Sequence, residues 1–292
     1  MMSSKPIFLL VFYLLCLLTQ CKAQELSESL KIREVNWQTE TVKPGIAYKT
    51  KQFDVLMQGP QCISYLDIDL NRASIQLKIA YLTKGRAKTS ELAIHIPGAI
   101  AAVNGTFFNM KEGGAVCFLK SNRKIINLTQ QEDSVWFVNA EGGIAMDTLG
   151  KIRILAQYEL QDSSWLNTWA YSEVMTAGPL LIRDKNPLGL HSEYKTKHPR
   201  TAVGLTENNH LILLTVDGRH AQAAGMTIPE LTRLMQALDC TDALNLDGGG
   251  STTLWIPGKP HQGVVNYPSD NKKFDHEGER AVANALVIID QW

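Results

Sequence analysis

Leu211-Ile212-Leu213-Leu214-Thr215-Val216-Asp217, Thr227-Ile228-Pro229-Glu230 and Ala243-Leu244-Asn245-Leu246-Asp247-Gly248-Gly249-Gly250-Ser251-Thr252 decide how the chain is read. The first and third are apolar runs of strand length, each ending in an aspartate. Between them, Thr227 with Glu230 three residues on, and proline in the first turn, make a capping box that opens a helix. Leu231, Leu234, Met235 and Leu238 then share one helical face. Residues 211–246 therefore read as strand, helix, strand, a crossover that makes the two strands parallel. Parallel strands put Asp217 and Asp247 on one edge of a sheet, at the carboxyl ends where open α/β sheets hold ligands. Three consecutive glycines surrender much backbone freedom on folding, so the loop after Asp247 needs positive φ angles or a close approach of its backbone. The expectation is a ligand-facing loop, with a tight turn between strands as the plainer alternative.

Working outward, Thr201 to Leu205 and Leu211 to Val216 form a hairpin across Glu207-Asn208-Asn209. Arg280 to Ile289 is apolar enough for a central strand. Ala99 to Val103 is a strand of small side chains, which implies close packing against a neighbour. Ahead of it, Thr89-Ser90-Glu91-Leu92-Ala93 is a short helix stopped by Pro97-Gly98. Ile63 to Leu70 and Ile75 to Leu82, on either side of Asn71-Arg72, read as an antiparallel hairpin with one buried face. In the middle, Val135 to Val138 and Ile144 to Met146 are short apolar runs separated by Gly142-Gly143. Trp165, Trp169 and Tyr171 form an aromatic segment, read as core or lid packing rather than a sugar platform. Met175 to Ile182 follows as a strand with a glycine bend. The expected fold class is α+β or mixed α/β: a central mixed β-sheet with flanking helices, including the βαβ unit at 211–246, preceded by a β-rich N-terminal segment.

The 292 residues suffice for a substantial core. With 29 basic and 29 acidic residues, no global charge favours nucleic acid or an anionic membrane, and any anion recognition must be local. Residues 1–23 read as a secretory signal, with Lys5 near the start and an apolar run from Ile7 to Leu18 too short to span a bilayer comfortably. Cleavage after Ala23 fits a small-residue rule; the rival reading makes Cys21 a lipid-modified anchor. Either way the protein is expected to be exported: periplasmic, attached to an outer membrane, or extracellular. Residues 24–97 then form a tether and β-rich segment, and 98–292 the main domain. Cys16 and Cys21 belong to the leader; of the remaining three, Cys62 and Cys117 either pair or all three stay as buried thiols.

Four clusters carry chemistry: Asn104-Gly105-Thr106-Phe107-Phe108, His198-Pro199-Arg200-Thr201-Ala202, Asp217-Gly218-Arg219, and Asp247 to Thr252 with Arg280 and Asn284 beyond. Each sets a polar residue at the end of a buried run, where charge must be paired or used. A structural salt-bridge network is the bland account. Three guanidinium groups, two carboxylates and a glycine loop at one sheet edge fit an anionic, hydroxyl-rich ligand better, because guanidinium matches phosphate with paired donors. Amides of the Gly-Gly-Gly-Ser turn are expected to form an anion nest, helped by the Ser251 and Thr252 hydroxyls. No P-loop lysine follows the glycines, no Gly-x-Ser-x-Gly elbow is present, and the seven histidines show no metal-ligand spacing. No cofactor is therefore required; a divalent cation has no supporting pattern and no metal ligands are assigned. His198 is either a catalytic helper or a packing residue. Asn104-Gly105-Thr106 and Asn127-Leu128-Thr129 match the glycosylation sequon, but Asn104 is expected at a buried strand end.

In this order the clusters resemble the phosphodiester glycosidase family. The resemblance rests on Ala102 to Phe108, His198-Pro199-Arg200-Thr201-Ala202-Val203-Gly204, Val216-Asp217-Gly218-Arg219, Gly225-Met226-Thr227, Asn245 to Thr252 and Arg280 to Ala285, and spans about residues 98–290. The leader, with neither the cysteine-rich module nor the membrane anchor of animal members, points to a bacterial envelope homologue. The resemblance implies hydrolysis of a sugar-1-phosphodiester, of the N-acetylglucosamine-1-phosphate type, between the anomeric carbon and the phosphate oxygen. For that reaction the expected catalytic residues are Asp247 as nucleophile or base for water, Asp217 orienting the sugar or water, and Arg200, with Arg219 and Arg280, at the phosphate or its neighbouring hydroxyls. Substrate contacts are expected from Asn104, Thr106, His198, Arg219, Gly248, Gly249, Gly250, Ser251, Thr252, Arg280 and Asn284. Two other classes stay open: a non-catalytic glycan- or cell-wall-binding protein, and a phosphodiesterase cutting the other P–O bond. The sequence gives no oligomeric state.

Overall fold

The computed structural model describes residues 23, 26–71, 75–128, 140–156 and 170–290. The leader with Cys16 and Cys21, the Val135–Val138 run, Trp165, Trp169, Arg72 of the expected turn and Thr129 of the second sequon lie outside them. Two compact units are present, residues 1–36 and 37–292. In the first, residues 26–34 are helical.

The second unit is built from sheets. The largest has seven strands in the order β1 (Gln38–Lys43), β2 (Ile46–Leu56), β3 (Gly59–Asp69), β14 (His210–Val216), β13 (Arg200–Thr206), β15 (Cys240–Asn245) and β12 (Leu180–Ile182). A five-stranded sheet runs β10 (Ile152–Ala156), β9 (Gly142–Asp147), β11 (Tyr171–Ala177), β7 (Leu119–Ser121) and β8 (Lys124–Asn127). A four-stranded sheet runs β16 (Leu254–Trp255), β6 (Ala99–Asn104), β18 (Asn284–Asp290) and β4 (Ile75–Tyr81), and β17 (Ala281–Val282) pairs with β5 (Ala87–Lys88).

The mixed α/β expectation is corrected: the unit is mostly β, with antiparallel ladders between all its paired strands among the described residues. The supposed βαβ unit shows why. Strands β14 and β15 do point the same way, but β13 lies between them and is antiparallel to both. The tight β13–β14 hairpin, with Leu205 opposite Leu211, occupies the edge that β15 would need. The crossover helix Ile228–Ala237 has the expected capping box: Thr227 N donates to Glu230 Oε2 at 2.8 Å and Glu230 N to Thr227 Oγ1 at 3.3 Å. It packs over β15 and β12 with Leu231, Leu234 and Met235 buried.

Three smaller readings also change. Strands β3 and β4 exist but form no hairpin: β3 pairs with β2 and β14, whereas β4 pairs with β18 in another sheet. Residues 61–66 of β3 are buried without alternation, so both of its faces are covered. Gly142 and Gly143 do not interrupt a strand but begin β9, and a Cβ on Gly142 would stand 2.7 Å from Leu155 O. Met175 to Ile182 is two strands in different sheets, parted at Gly178-Pro179. The short helix Thr89–Ile94 and the small-residue strand β6 agree with the sequence reading, whereas the single strand expected over Arg280 to Ile289 divides into β17, paired with β5 in its own sheet, and the central strand β18. The three sheets share one core, in which Leu213 and Leu244 meet Val103, Leu286, Ile144 and Met175. Cys62, Cys117 and Cys240 are buried free thiols.

Candidate active site

Alternating strand directions bring four chain segments to one edge of the large sheet. Strand β14 ends there and delivers Asp217 and Arg219; β13 starts there after His198-Pro199; β15 ends there ahead of Asp247; β12 starts there after Gly178-Pro179. A cleft of about 270 Å³ opens at this edge, near the small end of ligand pockets. Six of the expected residues line it: His198, Arg200, Arg219, Asp247, Gly248 and Gly249. Phe107, Glu141, Tyr194, Ile228 and Asn245 also face it, as do Gly178 and Pro179.

Asp247 is held from its own backbone. Its N–H donates to Gly105 O at 3.0 Å and its carbonyl accepts Asn104 Nδ2 at 2.6 Å. Asn104 is itself fixed, with Oδ1 accepting Thr201 Oγ1 at 2.7 Å and Thr253 N at 3.1 Å. Burial pushes the Asp247 carboxyl up to about 6, against the Gly248 amide at 3.0 Å from Oδ1 and the nearby charge of Arg280.

The cationic side of the cleft is Arg200 and Arg219. Arg200 donates from Nε to Met226 O at 2.8 Å and from Nη2 to Thr196 O at 3.1 Å. Burial, then the charge of Arg219, draws it down to about 10, so it stays cationic at neutral pH. Arg219 sits at φ 63°, an uncommon left-handed position for a non-glycine residue. Its Nη2 lies 3.4 Å from His198 Nδ1, which makes that nitrogen the acceptor and leaves the ring proton on Nε2. Burial and the two guanidinium groups hold His198 below its ordinary value, so it is neutral at pH 7.

The remaining expected residues do not line the cleft. Asp217 is buried, with Oδ1 accepting Asn266 Nδ2 at 2.8 Å and Tyr267 N at 3.0 Å, and burial pushes it up to about 6. Arg280 is ion-paired, with Nε 2.8 Å from Asp270 Oδ1, and reaches Asp247 only as a neighbouring charge. Asn284 Oδ1 accepts Thr106 N at 2.7 Å, and Thr106 Oγ1 donates to Thr176 O at 2.5 Å; both residues brace the loop that carries Gly105. Ser251 and Thr252 are buried behind the glycines.

The anion nest expected of the glycine loop is largely taken up by internal bonds. Gly248 N donates to Asp247 Oδ1, Gly249 N to Pro199 O, Ser251 N to Gly248 O and Thr252 N to Gly249 O, so these four amides are already used. The glycines answer to close packing. A Cβ on Gly250 would stand 2.3 Å from Arg280 Nη2, and one on Gly249, at φ 62°, 2.9 Å from Arg219 Nη2. Asn104 of the first sequon is 1% exposed, closed to a glycosylating enzyme once folded. No cluster of three or more His, Cys, Asp or Glu among the described residues is placed to hold a metal ion.

Sequence reasoning missed Glu141, Tyr194, Phe107 as a wall and Asn245. An acidic residue directly before Gly142-Gly143 is the available signal for Glu141.

A family model described as phosphodiester glycosidase matches residues 97–289. A prophage-derived uncharacterized protein of Bacillus subtilis is 25% identical over 261 residues, 88% of this chain and 36% of that protein. The mouse N-acetylglucosamine-1-phosphodiester alpha-N-acetylglucosaminidase is 28% identical over 204 residues, 64% of this chain and 37% of that protein. This chain thus spans little more than a third of the curated relatives it matches. Among solved structures, the zebrafish N-acetylglucosamine-1-phosphodiester alpha-N-acetylglucosaminidase catalytic domain aligns with a TM-score of 0.66 at 16% identity, covering 89% of this chain and 92% of that one. A hypothetical protein from Synechocystis gives 0.66 at 14% identity, over 88% of this chain and 64% of its own. At these identities the structural likeness concerns the fold. The family match itself takes in most of the chain and every residue found lining the cleft, and the chain belongs to the phosphodiester glycosidase family.

Proposed function

We propose that this protein hydrolyses a sugar-1-phosphodiester, of the N-acetylglucosamine-1-phosphate type, at the anomeric C–O bond, and does so outside the cytoplasm. The observation that carries this reading is one cleft lined by Asp247, two arginines, Arg200 and Arg219, and the imidazole of His198. Arg200 Nη1 and Arg219 Nη1 have no partner among the described residues and are free for phosphate oxygens. A departing phosphate monoester is a good leaving group, so it needs charge compensation more than a strong acid. Asp247 is the carboxylate set against the anomeric carbon. The apolar stretch from Ile7 to Leu18 supports export, and no described helix is long and apolar enough to cross a membrane. The test is a panel of sugar-1-phosphodiesters with the purified protein in oxygen-labelled water. Label in the sugar supports the glycosidase; label in the phosphate makes it a phosphodiesterase; no turnover with retained glycan binding makes it a binding protein.

A further inference from the structure

The cleft contains a second carboxylate, and the sheet order says where it stands. Strand β15 is flanked by β13 on one side and β12 on the other. Arg200 begins β13, with Arg219 following the end of β14, so both arginines enter the cleft from the same side of β15. Gly178-Pro179 enters β12 on the other side. Glu141 belongs to that far wall: its Oε2 accepts Leu180 N at 3.1 Å, and its Oε1 has no partner among the described residues. The cleft is therefore polarised. A phosphodiester anion is drawn to the arginine end and repelled from the Glu141 end, which leaves the uncharged ring between Asp247 and Glu141, with Phe107 and Pro179 as apolar walls.

Resting on the glycosidase reading above, we propose that Glu141 is the second carboxylate of the reaction, the base for a water that attacks the anomeric carbon from the side away from the phosphate. The water oxygen bonds to the anomeric carbon as the bond from that carbon to the phosphate oxygen breaks. The electron pair leaves on the phosphate monoester, held by Arg200 and Arg219, and the water proton passes to Glu141 Oε1 and then to solvent. Asp247, between the two ends, faces the positive charge that develops on the ring. Burial raises the Glu141 carboxyl above its ordinary value, toward the range in which a carboxylate serves as base near neutral pH.

Glu141→Gln keeps the acceptor for Leu180 N, so the fold is expected to survive, checked by an unchanged melting temperature. The variant should lose about 100-fold or more in kcat with KM within about threefold on an N-acetylglucosamine-1-phosphodiester. Glu141→Ala should regain turnover with added azide, giving a glycosyl azide of inverted configuration. A rise in KM alone, near-normal kcat, or a glycosyl azide of retained configuration overturns the assignment. An inactive wild-type protein would instead remove the glycosidase reading, and this assignment with it.

Discussion

At the scale of single residues, Asp247 and Asp217 end strands that point the same way and sit in different surroundings. Asp247 faces the cleft, and its free-enzyme value of about 6 means that it gains its charge as pH rises through 6. If that charge is used, kcat/KM falls below about pH 6, and Asp247→Asn lowers it by about a thousandfold or more while the melting temperature holds. Near-normal turnover in that variant, or a flat pH profile, would remove Asp247 from the mechanism. Asp217 has the same value for a structural reason, since it is buried with Oδ2 lacking a partner among the described residues. Its folded value lies above the ordinary 3.8, so the native state binds the extra proton. The resulting stability is complete below pH 3.8 and is lost as pH rises to about 6, a difference of roughly 3 kcal/mol. Asp217→Asn keeps an acceptor for Asn266 and Tyr267 and removes the buried charge. It should melt higher than wild type at pH 7–8 and lose that slope between pH 4 and 6; a lower melting temperature at pH 7 would show that the charge itself is needed.

At the scale of elements, what could be read from the sequence was what is local. The capping box at Thr227 and Glu230 needs only a three-residue spacing, and the hairpin of β13 and β14 only a tight turn, so both were legible. The neighbour of a strand is a non-local fact. Nothing in Leu211 to Leu246 tells that β13 intervenes between β14 and β15, and the alternation in Ile75 to Tyr81 gives a buried face but not the sheet it joins. The site shows the same division. Residues beside the strand ends of the motif, Arg200, Arg219, His198 and Asp247, were legible because strand direction puts them on one edge. Glu141 was not, because it stands just before a strand of another sheet, β9, and meets the edge through the Leu180 amide. Nor could the sequence show that the Gly248 and Gly249 amides are consumed internally. The cap offers the cleanest measurement at this scale. Thr227→Ala removes the acceptor for Glu230 N and should cost about 1 kcal/mol in urea unfolding. A loss much above that would mean that the entry of this helix, two residues from Arg200's partner carbonyl on Met226, supports more than its own first turn.

At the scale of the whole 37–292 unit, the core decides whether the sheets are independent. Leu213 from the large sheet, Val103 and Leu286 from the four-stranded sheet, and Ile144 and Met175 from the five-stranded sheet belong to one buried cluster. The cleft uses this arrangement: its cationic end comes from the large sheet, Phe107 follows β6, and Glu141 precedes β9. Were the sheets to open separately, the two ends of the cleft would part before the fold was lost. A shared core argues against that, since no sheet can leave without exposing the buried faces of the others. Far-ultraviolet dichroism and tryptophan fluorescence should therefore report the same denaturant midpoint, and activity should be lost at that midpoint and not before it. Leu213→Ala, which removes a wholly buried side chain from the centre of this cluster, should lower stability by about 2–5 kcal/mol and move all three midpoints together. Midpoints that separate in the variant would show that the sheets unfold as distinct units and that the cleft is assembled from parts of unequal stability.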